Sequence, residues 1–349
     1  MLEKKKYIIW EEGEYIHPNV CGFVPNIMAY LHDEEKEKKN PYPCMIVVPG
    51  GGYASVSPTE GEIVAKRFYE KGYQAFVLTY TINRLMGIPV KMQALKDISR
   101  AIRYIRSRAE QFDIDINQVA ICGFSAGGHL CASSCVHFAD IAEEDTNAGR
   151  KYAKYSNRPD AAVLCYPVIT SGLYAHQDSF RALLGRDIYE NIEESYEGIL
   201  GCRTKKDALQ YMSLEKYVTK NTPPCFLWHT VTDELVPMEN SLLFMRELRR
   251  EKIPVGYHVF SSGHHGMSLA NETWAKGLFG EDYTHEQTKR LMAAIRAGEI
   301  SLSEEDKKEY EAFCEYQKEH PEWIEGDTSP EVEQWFDMAV MWLSANLIS

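Results

Sequence analysis

No apolar stretch in these 349 residues approaches the ~18 positions that a membrane-spanning helix needs, so a helical membrane span is excluded. The opening residues, MLEKKKYIIWEEGEY, hold no apolar core segment ahead of their acidic side chains, and the expectation is a soluble, cytoplasmic protein with no membrane partner. An excess of positive charge is also missing. The 38 Lys and Arg face 51 Asp and Glu, a formal net charge of −13, which repels phosphate backbones and argues against nucleic acid. Nine cysteines are scattered with no CxxC pair, and Cys44, Cys122, Cys165 and Cys225 lie inside apolar runs, where a thiol behaves as a small hydrophobe. Structural zinc calls for tighter Cys/His clustering, so reduced thiols and no metal are expected. Neither a GxxxxGK loop nor a GxGxxG opening a helix is present, and no cofactor is expected.

What the chain does have is a rhythm. Short apolar, β-branched runs (Tyr7–Trp10, Ile27–Leu31, Met45–Val48, Ala75–Leu78, Val119–Cys122, Ala162–Cys165, Cys225–Trp228 and Val255–Phe260) alternate with longer segments of helical period. Most of these runs are continuous rather than alternating, as parallel strands covered on both faces require. Between two of them Leu95, Ile98, Ile102, Ile105 and Ala109 recur at helical spacing, with Arg103, Arg106 and Arg108 elsewhere on the turn, so an amphipathic helix packed on a sheet is expected. The fold class is α/β, with a mostly parallel central sheet and helices on both faces. The length, near two typical domains, is compatible with one α/β unit plus an insertion.

Residues 271–329 break the rhythm. They carry 15 acidic and 7 basic side chains in a helical pattern. Thr284-x-x-Gln287 has the form of a capping box, Gly298 a stop, and Ser303-x-x-Asp306 a second N-cap with Leu302 placed as a staple. Ser329-Pro330 then opens an amphipathic helix with Val332, Trp335, Phe336, Ala339, Val340 and Leu343 on one face. The organisation read from this is a core over 1–270, an acidic helical insertion over 271–329 that could serve as a lid or cap, and a helix over 330–349 returning to the core. Trp274, Tyr283, Tyr310, Tyr316 and Trp323 of the insertion could line a sugar site, although helix packing is the commoner use of such residues.

Chemistry concentrates at four places. Val119-Ala-Ile-Cys-Gly-Phe-Ser-Ala-Gly-Gly-His-Leu130 is a strand, a Gly-x-Ser-x-Gly turn and a helix, the layout of a nucleophile elbow. Its glycines leave room for a tight turn that pushes Ser125 into the open at a helix N-terminus, where dipole and free N–H groups favour developing negative charge. Upstream, Met45-Ile-Val-Val-Pro-Gly-Gly-Gly-Tyr53 runs a strand into three glycines whose backbone can approach an oxyanion. Gly51 and Gly52 are the expected donors, with the Ala126 N–H completing the hole. Downstream, Asp233 follows the strand ending Trp228-His229, and His264-His265-Gly266 follows the strand ending at Phe260. Serine, acid and histidine in that order suit acyl transfer, with the histidine moving the proton and the acid orienting it. Glu234 is an alternative acid, and His264 and His265 compete as the base.

The segments PGGGY (49–53), GFSAGGHL (123–130), WHTVTDELVP (228–237) and HHGMSLA (264–270) resemble the serine α/β-hydrolases related to bacterial acetyl-xylan esterases and hormone-sensitive-lipase-type carboxylesterases. The resemblance covers roughly 40–270 and the terminal helix. It implies an α/β-hydrolase fold, Asp233 as the acid and, because the family's base stands directly before glycine, His265 as the base. Pro49 replaces the histidine that many relatives carry before the glycines, and the acidic insertion departs from the common pattern. The implied activity is a metal-independent esterase acting on small acyl, notably acetyl, esters, with acetylated sugars or oligosaccharides as the substrate class. A peptidase or amidase on the same three residues, and an inactive hydrolase fold used for binding, are the competing readings. His229 and His129 are read as packed or loop-bracing residues, and Glu60 as either a helix cap or a substrate contact.

Overall fold

The computed structural model describes residues 4–18, 21–32, 40–141, 151–319 and 326–347. Trp323 lies outside the described residues. Eight strands form one sheet: β1 (Lys4–Ile8), β2 (Asn26–Tyr30), β3 (Tyr42–Val48), β4 (Gln74–Thr79), β5 (Ile114–Phe124), β6 (Ala161–Cys165), β7 (Cys225–Thr230) and β8 (Val255–Phe260), in the order β1-β2-β4-β3-β5-β6-β7-β8. The pairs β1/β2 and β2/β4 are antiparallel and the remaining five are parallel. Among the described residues the long helices are α1 (Glu62–Glu70), α2 (Gln93–Arg106), α3 (Ser125–Val136), α4 (Gln177–Leu184), α5 (Glu239–Arg250), α6 (Glu286–Arg296), α7 (Glu304–Glu319) and α8 (Trp335–Asn346).

Strand periodicity divides the core into two layers. Ile46, Val48, Phe76, Leu78, Ile121, Leu164 and Leu227 point to the face covered by Leu95, Ile98 and Ile102 of α2, Leu130 of α3 and Phe244 of α5. Their neighbours Met45, Val47, Ala75, Val77, Cys122, Val163 and Trp228 point to the face covered by Val64 and Phe68 of α1 and by Trp335, Phe336, Ala339 and Leu343 of α8. Trp228 stacks on Trp335 with ring centroids 5.4 Å apart. Both faces being covered explains why the strand runs are continuously apolar.

Several local expectations shift. The first strand is Lys4–Ile8 rather than Tyr7–Trp10; it is a half-exposed edge, and Ile9 and Trp10 are buried just beyond it. Helix α2 stops at Arg106, so Ala109 belongs to a separate turn over Ala109–Phe112. Arg106 is buried, with its guanidinium on the carbonyls of Ile116, Ser156 and Arg158 and on the Asp160 carboxylate, so this charge is paired inside rather than solvated. The Thr284/Gln287 capping box does not form. Helix α6 begins at Glu286 without a side-chain cap, and the Gln287 amide reaches across to the N–H and C=O of Ile82 at 3.0 and 2.9 Å. The second pattern does form: Ser303 Oγ accepts the Asp306 N–H at 3.1 Å.

Candidate active site

The C-terminal ends of β3, β5, β6, β7 and β8 deliver the loops that meet above the sheet, as open parallel sheets do. At the end of β5 the chain turns into α3 within one residue, and Ser125 takes the left-handed conformation, φ +51°. That turn is possible because two neighbours lack a Cβ. A Cβ on Gly127 would stand 2.1 Å from the Val48 carbonyl oxygen, and one on Gly123 would stand 2.3 Å from that of Gly127.

Ser125, His265 and Asp233 are brought into one hydrogen-bonded chain. His265 Nδ1 lies 2.7 Å from Asp233 Oδ2, and His265 Nε2 lies 2.8 Å from Ser125 Oγ. A carboxylate can only accept, so Nδ1 carries the proton and the bare Nε2 accepts the serine hydroxyl. Asp233 is buried, and burial acts to raise its pKa. Hydrogen bonds from His229 and His265, the charge on His265 and the Val236 N–H outweigh burial and hold the carboxyl well below the usual carboxylate range. Its second oxygen accepts the N–H groups of Leu235 and Val236 at 3.0 and 2.9 Å. Glu234, the alternative acid, is exposed, whereas Asp233 is buried.

The two competing histidines separate cleanly. His264 Nδ1 turns back onto the His265 carbonyl at 2.8 Å, and its ring lies beside Trp274, 5.9 Å between centroids. His229 is a brace: its Nε2–H donates to the Val236 carbonyl at 2.8 Å and leans toward Asp233 Oδ2 at 3.3 Å, while Nδ1 accepts from Ser241 Oγ. His129 is one too, donating from Nε2 to the Met212 carbonyl and accepting the Tyr53 hydroxyl at Nδ1, 2.8 Å away. Burial depresses its pKa to about 4, so the ring is neutral.

Gly51 and Gly52 both take positive φ, +120° and +63°, in the loop that lies over the elbow; a Cβ on Gly50 would stand 2.9 Å from Ser125 Cβ. Among the described residues the N–H groups of Gly51 and Gly52 make no hydrogen bond within the protein, whereas the Gly50 N–H is committed to Glu60 Oε2 at 2.7 Å. Ala126 is the second residue of α3, where backbone N–H groups have no intrahelical partner. Tyr80 OH donates to the Pro49 carbonyl at 2.8 Å, so a tyrosine braces this loop although Pro49 itself offers no side-chain donor.

A family model described as BD-FAE matches residues 30–248. The chain belongs to the BD-FAE family. Within the acetyl-xylan-esterase-like group of α/β-hydrolases, this BD-FAE chain is 45% identical over 287 residues to endo-1,4-beta-xylanase B of Butyrivibrio fibrisolvens, covering 82% of this chain and 41% of the xylanase. It is 29% identical over 237 residues to an acetylxylan esterase of Xylanibacter ruminicola, covering 67% of this chain and 42% of that protein. The chain thus spans less than half the length of these two relatives. A solved structure, the acetyl ester-xyloside bifunctional hydrolase of Caldicellulosiruptor lactoaceticus, superposes with a TM-score of 0.64 at 32% identity, over 85% of this chain and 97% of that one. The fold is that of an α/β-hydrolase.

Other residues of the BD-FAE site had no sequence signal, or an undecided one. Glu60 neither caps a helix nor faces solvent. It is buried, with Oε2 on the Gly50 N–H and Oε1 accepting the Tyr166 hydroxyl at 2.8 Å. Burial raises its pKa, against the Gly50 N–H, the Tyr166 hydroxyl and the charge on His265. Tyr166, at positive φ just after β6, also accepts the Ser268 N–H at 3.0 Å and sets its ring 4.9 Å from that of His265. Glu60 and Tyr166 together tie the glycine loop to the histidine loop. In the sequence Glu60 stood out only as an acid following the glycines, and Tyr166 only as a tyrosine following an apolar strand. Among the described residues no group of His, Cys, Asp and Glu is arranged to hold a metal ion, and no helix is long and apolar enough to cross a membrane.

Proposed function

We propose that this protein is a serine carboxylesterase that hydrolyses small acyl esters, acetyl esters above all, on a sugar or oligosaccharide alcohol. The observation that carries the reading is the unbroken hydrogen-bond chain from Asp233 through His265 to Ser125 Oγ, with links of 2.7 and 2.8 Å. Ser125 Oγ attacks the acyl carbon as His265 Nε2 takes its proton, and Asp233 stabilises the imidazolium that forms. The tetrahedral oxyanion is received by the N–H groups of Gly51, Gly52 and Ala126, held rigid by Glu60 and Tyr80. Collapse expels the alcohol, which leaves with the proton from Nε2. Water then attacks the acyl-serine, gives its proton to the same nitrogen, and frees the carboxylic acid and Ser125.

The substrate class is supported by the relatives named for xylan chemistry, an acetylxylan esterase and an acetyl ester-xyloside hydrolase. In this reading residues 271–329 are an insertion beside the site. Its two ends are tied together where the Ser329 N–H donates to the Ala270 carbonyl at 2.9 Å, and α8 beyond it packs into the core. The test is hydrolysis of p-nitrophenyl acetate and of acetylated xylo-oligosaccharides by the protein and by Ser125→Ala. The variant should lose on the order of 10⁴ or more in kcat while keeping its fold. Retention of a tenth of the activity would remove Ser125 from the role assigned to it.

A further inference from the structure

Beside the glycine loop lies a cleft of about 540 Å³, walled on one side by Ser55 and Arg84 and on the other by α6 and α7. Its volume falls within the ~300–1,000 Å³ of small-molecule sites. Ser55 belongs to the loop over the elbow, since its N–H donates to the Gly51 carbonyl at 2.9 Å. Through Ser55 the cleft is therefore one turn of backbone from the glycine loop.

The charge of the cleft runs against that of the chain. The segment supplying α6 and α7 is strongly acidic, yet Arg84, Lys289 and Arg296 line this wall. Lys289 is occupied, paired with Asp282 at 2.8 Å, and that same carboxylate lies 3.0 Å from His285 Nδ1. The two arginines are not. Among the described residues neither Arg84 nor Arg296 has a carboxylate within ion-pair distance. The Arg84 guanidinium stacks 3.8 Å above the Phe313 ring, and its buried Nε has no hydrogen-bond partner. Burial lowers the Arg84 pKa, with Glu309 and Tyr316 acting the other way, which marks a charge held out of water.

Guanidinium forks suit carboxylates, which they grip through paired N–H donors. We propose that this cleft binds a carboxylate-bearing sugar residue of the substrate's alcohol portion, adjacent to the acylated one. The proposal deepens the esterase reading and rests on it for the position of the ester. A chain whose net charge is −13 repels acidic saccharides in general, so a local pair of free arginines is what allows it to select one.

The experiment is calorimetric titration with a glucuronic-acid-substituted xylotriose and with neutral xylotriose, alongside hydrolysis of their acetylated forms. The acidic ligand should bind about tenfold or more tightly than the neutral one at low salt, as charge-assisted contacts allow, and the difference should shrink as salt is raised. Arg296→Glu and Arg84→Met should each collapse the difference, and kcat/KM should show the same loss of preference. Arg296 is exposed, so its variant decides the matter if Arg84→Met fails to fold. Equal affinity for the two ligands, or a preference that survives in Arg296→Glu, overturns the proposal. Selective binding without hydrolysis of any ester would overturn the esterase reading and leave the cleft standing; hydrolysis without selectivity would do the reverse.

Discussion

His264 and His265 carry the same side chain one position apart, and their backbone sends them to different environments. His265 is held from both ends, by Asp233 and by Ser125, while His264 folds onto its neighbour's carbonyl and faces Trp274. Only the first can move a proton at Ser125 Oγ. His265→Ala should fall to within about tenfold of the Ser125→Ala level in kcat, because removing the base disables the same unit as removing the nucleophile. His264→Ala should keep measurable turnover, with its loss expressed in KM or in stability. Steady-state kinetics on p-nitrophenyl acetate check both, and the reverse order of severity would reassign the base. Residue identity here was legible in the sequence as a pair. The choice between its members came from the resemblance, since spacing alone cannot say which of two consecutive side chains faces inward.

Between residue and molecule stand the loops that follow β3, β6 and β8. They converge through Glu60, which holds the Gly50 N–H and the Tyr166 hydroxyl on separate oxygens, and through Tyr166, which accepts the Ser268 N–H. Glu60 is thus a positioning residue. Glu60→Gln keeps the volume but places an NH₂ group where only an acceptor fits, and about tenfold in kcat/KM should be lost, mostly from kcat. An unchanged kcat/KM, or a loss confined to KM, would reduce Glu60 to packing. Strands β2 to β8 were legible as short apolar runs and the elbow as a glycine pattern, because both are local. The Glu60–Tyr166 link was not, because its two ends are 106 residues apart and meet only once the sheet has formed.

Over the whole molecule, the acidic segment is joined to the core by specific polar contacts rather than by bulk charge. Gln287 satisfies both backbone groups of Ile82, Tyr283 OH meets Tyr30 OH at 2.9 Å, and Arg186 pairs with Glu305 and Asp306. The Thr284/Gln287 pattern misled for a physical reason: the glutamine amide that would have closed a capping box makes two buried hydrogen bonds across the interface instead. Gln287→Ala leaves a buried N–H and C=O of Ile82 without their partners and should cost about 2 kcal/mol of stability, read from the urea midpoint. A change within error would mean that the contact contributes nothing to holding the segment in place. The central claim, that this assembly exists to make Ser125 an acyl acceptor, is tested most directly by active-site titration with diethyl p-nitrophenyl phosphate followed by peptide mass spectrometry. One equivalent of p-nitrophenol should be released per chain, with the diethylphosphoryl group on Ser125 Oγ and no release from His265→Ala. A label on any other residue, or none at all, would contradict the account.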